Sequence, residues 1–133
     1  MNTNTQNTRT FVDIDLSFIK NPHTGDISIR RGENAIKGAV RNLIMTKHYE
    51  RLFHSEVGSS VNGLLFENPS PGVAAILRQE VTDVIQNFEP RAEILSVDVD
   101  FSPDRHSVDI SIVFRIINTI EPIRLEFTLK RVR

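Results

Sequence analysis

The chain has 133 residues, of which 39% are hydrophobic and 25% are charged, and its sixteen Lys and Arg against seventeen Asp and Glu give a formal net charge of −1. This length is typical of one globular domain, and the near-neutral charge disfavours a nucleic-acid-binding protein. The chain has no cysteine, which excludes disulfides, iron–sulfur clusters, thiolate zinc sites and a cysteine nucleophile.

The first ten residues, MNTNTQNTRT, contain no apolar residue after Met1. We expect residues 1–10 to be a flexible arm, because they cannot bury enough surface to offset their ordering entropy. This start has no signal-peptide core, and no apolar run in the chain reaches the ~18 residues that cross a bilayer. We therefore expect a soluble intracellular protein with no membrane partner, in which residues 11–133 form a single domain.

The segment that begins at Phe11 has irregular apolar spacing and is expected to be extended, with turns at Asn21-Pro22 and Thr24-Gly25-Asp26 and a very short strand around 27–29. A first helix is predicted at about 33–47. Its apolar residues recur at helical spacing, and they are Ile36, Ala39, Val40, Leu43 and Ile44. A polar loop is predicted over 48–63.

A second helix is predicted over 71–88. Ser70 is a suitable N-cap residue and Pro71 fits the first helical position. Pro90 ends the helix, because proline disfavours the α conformation in the residue before it. The apolar stripe of this helix comprises Val73, Leu77, Val81, Val84, Ile85 and Phe88.

The last 40 residues change to a period of two, which is typical of strands with one buried and one wet face. The expected inward residues are Leu95, Val97, Val99 and Phe101, then Val108, Ile110, Ile112, Phe114 and Ile116, then Ile123, Leu125, Phe127 and Leu129. A hairpin loop is expected at 102–106. The predicted fold is α+β, with two amphipathic helices packed on an antiparallel three-stranded meander.

The residues offer little catalytic chemistry. His48 and His54 match no usual metal spacing, and Gly58-Ser59-Ser60 has no residue placed to activate a serine, so we expect a plain turn there and neither metal nor cofactor. Glycoside hydrolases need two carboxylates in a cleft. The candidates are Glu50, Glu56, Glu67 and Glu89.

The junction Glu89-Pro90-Arg91 breaks a local rule, because a carboxylate at a helix C-terminus faces the negative end of the helix dipole. The residues alone allow two interpretations. One is a local ion pair across a helix stop, and the other is a fixed pair of charges presented to a partner. On the second, we expect Arg91→Ala to leave folding nearly intact and to abolish partner binding.

Several short motifs follow one another in a specific order. They are Asn42-Leu43 with Thr46, Glu50-Arg51, Gly58, Leu64-Leu65-Phe66-Glu67 and Phe88-Glu89-Pro90-Arg91, followed by an alternating strand. This order resembles the baseplate wedge protein family of contractile-tail phages, the GPW and gene-25-like family, whose relatives include the type VI secretion baseplate subunit. The resemblance covers about 11–131, and Asp13–Phe18 with the turns that follow fits the phage branch.

Two departures from the family pattern fall in the predicted loop. Tyr49 stands before Glu50-Arg51 where family members often have Gly, and the segment from His54 to Gly58 lacks the Pro and Phe often found there. The loop conformation is therefore the part that the resemblance defines least.

The resemblance implies a structural protein of the virion tail baseplate, assembled in the host cytoplasm. It implies binding to the wedge core bundle through Glu89, Pro90 and Arg91, and a sheath-like β-structure from which the first sheath ring is built. The implied partners are other baseplate wedge proteins and the tail sheath protein. No nucleic acid and no small-molecule substrate is expected.

The last predicted strand, 122–131, should be an edge strand unless the N-terminal segment covers it. We expect a strand of the sheath protein to pair with it. The residues assigned to that contact are Leu125, Phe127 and Leu129.

Two other functions compete with the assembly role. The family carries an old label as a lysozyme, so the alternative is a small muramidase acting on peptidoglycan, and a generic adaptor outside any phage is a third. The chain has no Trp and one Tyr, which leaves few platforms for stacking sugars. We therefore expect a protein that is not an enzyme.

Overall fold

A computed structural model describes residues 11–102 and 106–131. The predicted arm at 1–10 and the centre of the predicted hairpin loop, 103–105, lie outside the described residues. In chain order the elements are β1 (Val12–Ile14), β2 (Ile29–Arg31), α1 (Glu33–Met45), α2 (Val61–Leu64), α3 (Pro71–Phe88), β3 (Ala92–Ser102), β4 (Ser107–Ile116) and β5 (Pro122–Lys130). The predicted α+β class is confirmed.

The long helix α3 has the predicted bounds, because its start and its end are both encoded locally. The Ser70 hydroxyl accepts a hydrogen bond from the Val73 N–H at 3.2 Å, and Pro71 occupies the first turn. Helix α1 ends at Met45, two residues before the predicted end. Thr46 turns to an extended conformation there, and its hydroxyl donates to the Asn42 carbonyl at 2.7 Å.

The region predicted as a loop contains the short helix α2 and is attached closely to the end of α1. The Ser59 hydroxyl is buried and donates to the Ile44 carbonyl, while the Asn62 side chain donates to the Met45 carbonyl at 3.2 Å. These bonds satisfy carbonyls that a helix end leaves without an intrahelical partner. The Gly58-Ser59-Ser60 segment is thus more than a plain turn, since it caps α1.

Gly58 allows this close approach. Its φ is 148°, and a Cβ at this position would lie 2.7 Å from the carbonyl carbon and oxygen of Lys47. Such a contact is too short for any side chain. A glycine is therefore required where the loop crosses the end of α1.

The strands after α3 form the predicted antiparallel meander, in the order β3-β4-β5. The pairing of β4 with β5 is regular from Ser107 with Lys130 to Arg115 with Pro122. The pairing of β3 with β4 contains a β-bulge between Ile94 and Ser96.

Because of the bulge, the prediction for one core residue is wrong. Leu95 was expected to point inward, but it is the extra residue of the bulge and its exposed fraction is 52%. The bulge reverses the side-chain alternation, so Ala92 and Ile94 face the core before it, and Val97 and Val99 face the core after it.

The N-terminal hairpin, which we define as residues 11–31, contains a second antiparallel sheet that the sequence did not fully predict. β1 pairs with β2 from Val12 with Arg31 to Ile14 with Ile29. The predicted turn is present, since the Asn21 carbonyl accepts the Gly25 N–H at 2.9 Å. Seven large apolar residues of this hairpin are exposed, namely Val12, Ile14, Leu16, Phe18, Ile19, Ile27 and Ile29.

The core lies between the helices and the inner face of the meander. α3 lies against β3, while α1 lies beside α3 and against β1 and β2. Ile36, Val40 and Ile44 of α1 share one buried cluster with Leu77 and Phe114. The helices thus cover one face of the sheet, and the outer face is left to polar side chains.

The bulge can be tested with neighbouring substitutions. Ile94→Ala is expected to lower the free energy of unfolding by about 1–3 kcal/mol, because it removes apolar atoms from the core. Leu95→Ala should change it by less than about 0.5 kcal/mol, as for other exposed positions. Urea denaturation of both variants measures this, and a larger loss at Leu95 would mean that the strand continues without a bulge.

Candidate partner-binding site

Glu89 is a buried carboxylate at the end of α3. The residue is 6% exposed, and its N–H still bonds to the Ile85 carbonyl at 2.8 Å, as in the last turn of the helix. Pro90 follows and directs the chain out of the helix into β3. A buried carboxylate needs a cationic or hydrogen-bonding partner, because its desolvation is otherwise costly.

Arg91 supplies that partner. Its Nε and Nη2 groups donate to the two carboxylate oxygens of Glu89 at 2.6 and 2.8 Å. The side chain of Arg91 is 25% exposed and that of Glu89 is 8% exposed. This bidentate pair is partly shielded from water, which distinguishes it from an exposed surface ion pair.

The opposite side of the same guanidinium holds the N-terminal hairpin. Nη1 and Nη2 of Arg91 donate to the two carboxylate oxygens of Asp13 at 3.2 and 3.0 Å. The guanidinium carbon also lies 5.4 Å from the centre of the Phe11 ring, within the range of a cation–π contact. These hydrogen bonds, first from Glu89 and then from Asp13, raise the pKa of Arg91.

The arrangement changes the interpretation of Arg91. A guanidinium has five N–H donors, and four hydrogen bonds to Glu89 and Asp13 leave one of them free. Arg91 therefore does not offer an unused bidentate donor pair to a partner. The pair with Glu89 was one of the two interpretations that the sequence allowed, whereas no role was predicted for Asp13.

Arg91 borders an open cleft of about 890 Å³, which we call the Arg91 cleft. Its lining comes mainly from β1 and the residues that follow it, from α1, from the loop after α1 and from the end of α3. Most motifs that carry the family resemblance meet here: Asn42, Leu43, Thr46, Glu50, Arg51, Phe88, Glu89 and Arg91 all line the cleft. Residues scattered over fifty positions of the sequence thus contribute to one surface.

The other motif residues have structural roles. Gly58 lets the loop cross α1, and Leu65 lies in the core. Phe66 stacks beneath Arg131, whose guanidinium carbon lies 5.6 Å from the ring centre. Glu67 is exposed.

The other two candidate carboxylates, Glu50 and Glu56, make local contacts within the loop after α1. Glu50 accepts the Lys47 N–H at 2.9 Å. Glu56 lies 3.3 Å from His54, and its pKa is lowered chiefly by its own backbone N–H and secondarily by that histidine. Within 11–102 and 106–131, no group of three His, Asp or Glu side chains could hold a metal ion.

The side chains assigned to sheath contact lie on the inner face of β5. Leu129 is buried, and Leu125 and Phe127 are half-buried against the core. They are therefore not free to form a side-chain interface. Pairing of another strand with this edge would use backbone groups of β5.

The register identifies those backbone groups. The Arg131 N–H donates to the His106 carbonyl at 2.9 Å, which continues the β4–β5 ladder. Successive residues of an antiparallel pair direct their N–H and C=O groups alternately toward and away from the partner. Odd-numbered residues of β5 therefore bond to β4, while Arg124, Glu126, Thr128 and Lys130 direct their backbone groups to the free edge.

No helix in the described part of the chain is long and apolar enough to cross a membrane.

Comparison with known proteins identifies the family. A sequence model of the family described as baseplate wedge protein gp25 matches residues 30–121. The chain is 31% identical over 104 residues to baseplate wedge protein gp25 of Enterobacteria phage T4, and the match covers 76% of this chain and 79% of the phage protein. The chain therefore belongs to the baseplate wedge protein gp25 family, as the ordered motifs predicted.

Solved structures share the fold. A putative tail lysozyme from Geobacter sulfurreducens has a TM-score of 0.67 at 23% identity, covering 76% of this chain and 92% of that chain. A chain in the baseplate of the anti-feeding prophage has a TM-score of 0.65 at 19% identity, covering 90% of this chain and 84% of that chain. At these identities the likeness establishes the fold alone.

The contacts of Arg91 predict that Arg91→Ala is destabilised, whereas the sequence alone predicted a nearly neutral change. Arg91→Ala should lower the free energy of unfolding by about 2–4 kcal/mol, because it leaves the buried Glu89 carboxylate unpaired. Adding Glu89→Gln should recover part of this loss, since no buried charge then remains. Urea unfolding of the single and double variants tests this, and a neutral Arg91→Ala would show that Glu89 is solvated.

Proposed function

We propose that the protein is a structural subunit of a contractile-tail baseplate, assembled in the host cytoplasm. It binds other wedge proteins through the Arg91 cleft and the tail sheath protein through the edge of β5. Family membership supports the baseplate role. The observation that carries the proposal is that the family's motif residues, far apart in sequence, line one cleft.

The Arg91 cleft has the properties of a peptide-binding groove. Val12 and Ile14 of β1, and Leu16 after it, are 46%, 59% and 54% exposed. Charged residues of the N-terminal segment and of the loop after α1 line the same cleft, Glu50 and Arg51 among them. A groove that offers both apolar and charged side chains suits an amphipathic helix, which buries one side and leaves the other to polar contacts. A helical segment of the wedge core bundle fits this description.

Arg91 acts in this proposal mainly as a positioning residue. It joins the end of α3 to β1 through Glu89 and Asp13, so it fixes the position of β1 relative to the end of α3. Loss of Arg91 would therefore weaken partner binding by displacing β1. Direct contact with the partner is limited to its one remaining N–H.

Exposed residues of the cleft wall provide the sharper test. Ile14→Asp with Leu16→Asp should abolish co-elution with the wedge proteins of the same tail, because both changes replace exposed apolar side chains of the cleft with carboxylates. The fold should persist, since both side chains are more than half exposed. Co-expression followed by size-exclusion chromatography measures the complex.

Ile76→Asp is the matched control for the cleft variants. Ile76 is 55% exposed on α3, and it does not line the cleft. Equal complex formation by the cleft variants and the control, with all of them folded by thermal melt, would show that the wedge proteins bind elsewhere.

The edge of β5 supports the proposed sheath contact. β5 pairs only with β4 among the described residues, and its ladder has no bulge. The other edge, β3, contains the bulge at Leu95, which disrupts regular pairing. β5 is therefore the better template for an added strand.

Proline substitutions on β5 distinguish loss of pairing at the free edge from loss of the fold. Glu126→Pro removes an outward N–H and should prevent sheath recruitment while the domain stays folded, because edge strands tolerate proline at such positions. Glu126→Ala should recruit sheath normally. Phe127→Pro removes a bond to β4 and should unfold the sheet. Co-sedimentation with assembled sheath protein measures recruitment, and normal recruitment by Glu126→Pro would exclude this edge.

We also propose that the protein does not hydrolyse peptidoglycan. Both oxygens of the buried Glu89 carboxylate are occupied by Arg91. The likeness to a putative tail lysozyme is at 23% identity and extends to the fold alone. A pure preparation is expected to release no reducing ends from cell-wall material. Release that disappears in Glu50→Gln, Glu67→Gln or Glu89→Gln would restore the muramidase alternative.

A further inference from the structure

A basic hollow of about 570 Å³ lies beside β5, between β2 and α1. It is lined by Ile29, Arg30 and Arg31 of β2, by Asn34, Lys37, Gly38 and Arg41 of α1, and by Leu125 of β5. Four of its lining residues are basic, and no lining residue is acidic. In a chain with a formal net charge of −1, this is a local concentration of positive charge.

Part of this charge is not compensated within the described protein. Arg30 pairs with Asp15 at 3.1 Å, and Lys37 pairs with Glu33. Arg31 and Arg41 have no ion-pair partner among the described residues, and both are exposed. The hollow therefore has a net positive charge that is open to a ligand.

The hollow adjoins the free edge of β5 through Leu125. The Leu125 side chain lies on the inner face of the sheet and also lines the hollow. Residues directly opposite each other on neighbouring strands place their side chains on the same face. A strand added to β5 would thus direct the residue opposite Leu125, and those two positions away, toward the side on which the hollow lies.

We propose that the strand which pairs with β5 carries acidic side chains on the face directed toward α1. There these side chains form ion pairs with Arg31 and Arg41. The inference rests on the proposed pairing at β5 and specifies the chemistry of the partner. A carboxylate directed to the outer face would instead meet Arg124, which already pairs with Glu126 at 2.6 Å, and Lys130 at the end of the strand.

The hollow should therefore favour one register of the added strand more than it raises the affinity for that strand. A shift by one residue moves every side chain of the added strand to the other face. Contacts between exposed charges contribute modestly to affinity, but they favour one alignment and speed association.

Other occupants fit the hollow less well. The chain's own residues 1–10 contain no Asp or Glu, so this segment cannot supply the carboxylates. Nucleic acid requires an extended series of cations along its backbone, whereas two uncompensated arginines lie here beside a strand edge.

The test uses two synthetic strands of opposite charge. The probes are an acetylated and amidated decapeptide of alternating Thr and Glu, and its counterpart with Lys in place of Glu. Each is titrated into the full-length ¹⁵N-labelled protein, and Kd is obtained from the amide shifts of β5. The Glu peptide should bind about tenfold more tightly than the Lys peptide, and its affinity should fall with salt because exposed charges are screened.

Charge reversal assigns the effect to the hollow. Arg31→Glu with Arg41→Glu should weaken binding of the Glu peptide about tenfold. Lys47→Glu, an exposed control after α1 that lines neither the hollow nor the surface of β5, should leave binding unchanged. If the double reversal does not fold, Arg31→Gln with Arg41→Gln replaces it. No binding of the Glu peptide, equal binding of both peptides, or no effect of the arginine variants overturns the inference. Tighter binding of a thymidine decanucleotide at the same residues also overturns it.

Different results would overturn the proposed edge contact and the acidic-strand inference. If Glu126→Pro loses both the peptide and the sheath protein while the arginine variants bind normally, the edge contact stands and the acidic-strand inference fails. If Glu126→Pro recruits sheath protein normally, the proposed edge contact itself fails.

Discussion

A single guanidinium that bonds to two carboxylates determines the geometry around the Arg91 cleft. Glu89 is buried at the end of α3, and Asp13 lies on β1 in a hairpin that is otherwise weakly attached. A buried ion pair adds little net stability relative to apolar packing, but loss of one partner is expensive. The interaction is therefore better understood as a constraint on where β1 lies than as a source of stability.

Some residues of the family motifs line the cleft, and others hold in place the segments that line it. Asn42 and Leu43 of α1, and Thr46 after it, line the cleft, while Gly58 and Ser59 hold the loop that also contributes to its lining. The loop can project Tyr49 and Phe53 into solvent, where they are 85% and 98% exposed, because its base is held to the end of α1. The residues that close the base are therefore as necessary to the surface as those that line it.

Local signals in the sequence predicted the elements whose ends and faces they encode. Ser70, Pro71 and Pro90 define α3, and strict alternation defines β4 and β5. The bulge in β3 was missed because Ile94 and Leu95 are both apolar, so the alternation does not show which of them is the extra residue.

The candidate site was predicted in part. Glu89 and Arg91 were identified from a charge at an unfavourable helix end, but Asp13 is 78 residues from Arg91. No periodicity or spacing reports a contact at that distance. The alternation already placed the side chains of Leu125, Phe127 and Leu129 on the inner face, but these residues were still assigned to an interface from the position of their strand. Only the register shows that their backbone groups bond to β4 and not to the free edge.

The exposed N-terminal hairpin has a consequence for the dynamics of the fold. Its apolar side chains are largely in water. Its main attachments to the rest of the chain are the Arg91–Asp13 contact, Phe11 against the core, and the packing against α1. Parts of a protein with few buried contacts open at a lower free energy than the core does. The hairpin should therefore form a separate cooperative unit, whose amide protons exchange with solvent while those of β4 remain protected. One wall of the Arg91 cleft would then be present only for the fraction of time that this unit is closed, and a partner that holds it closed would reduce exchange at β1 without contacting β4.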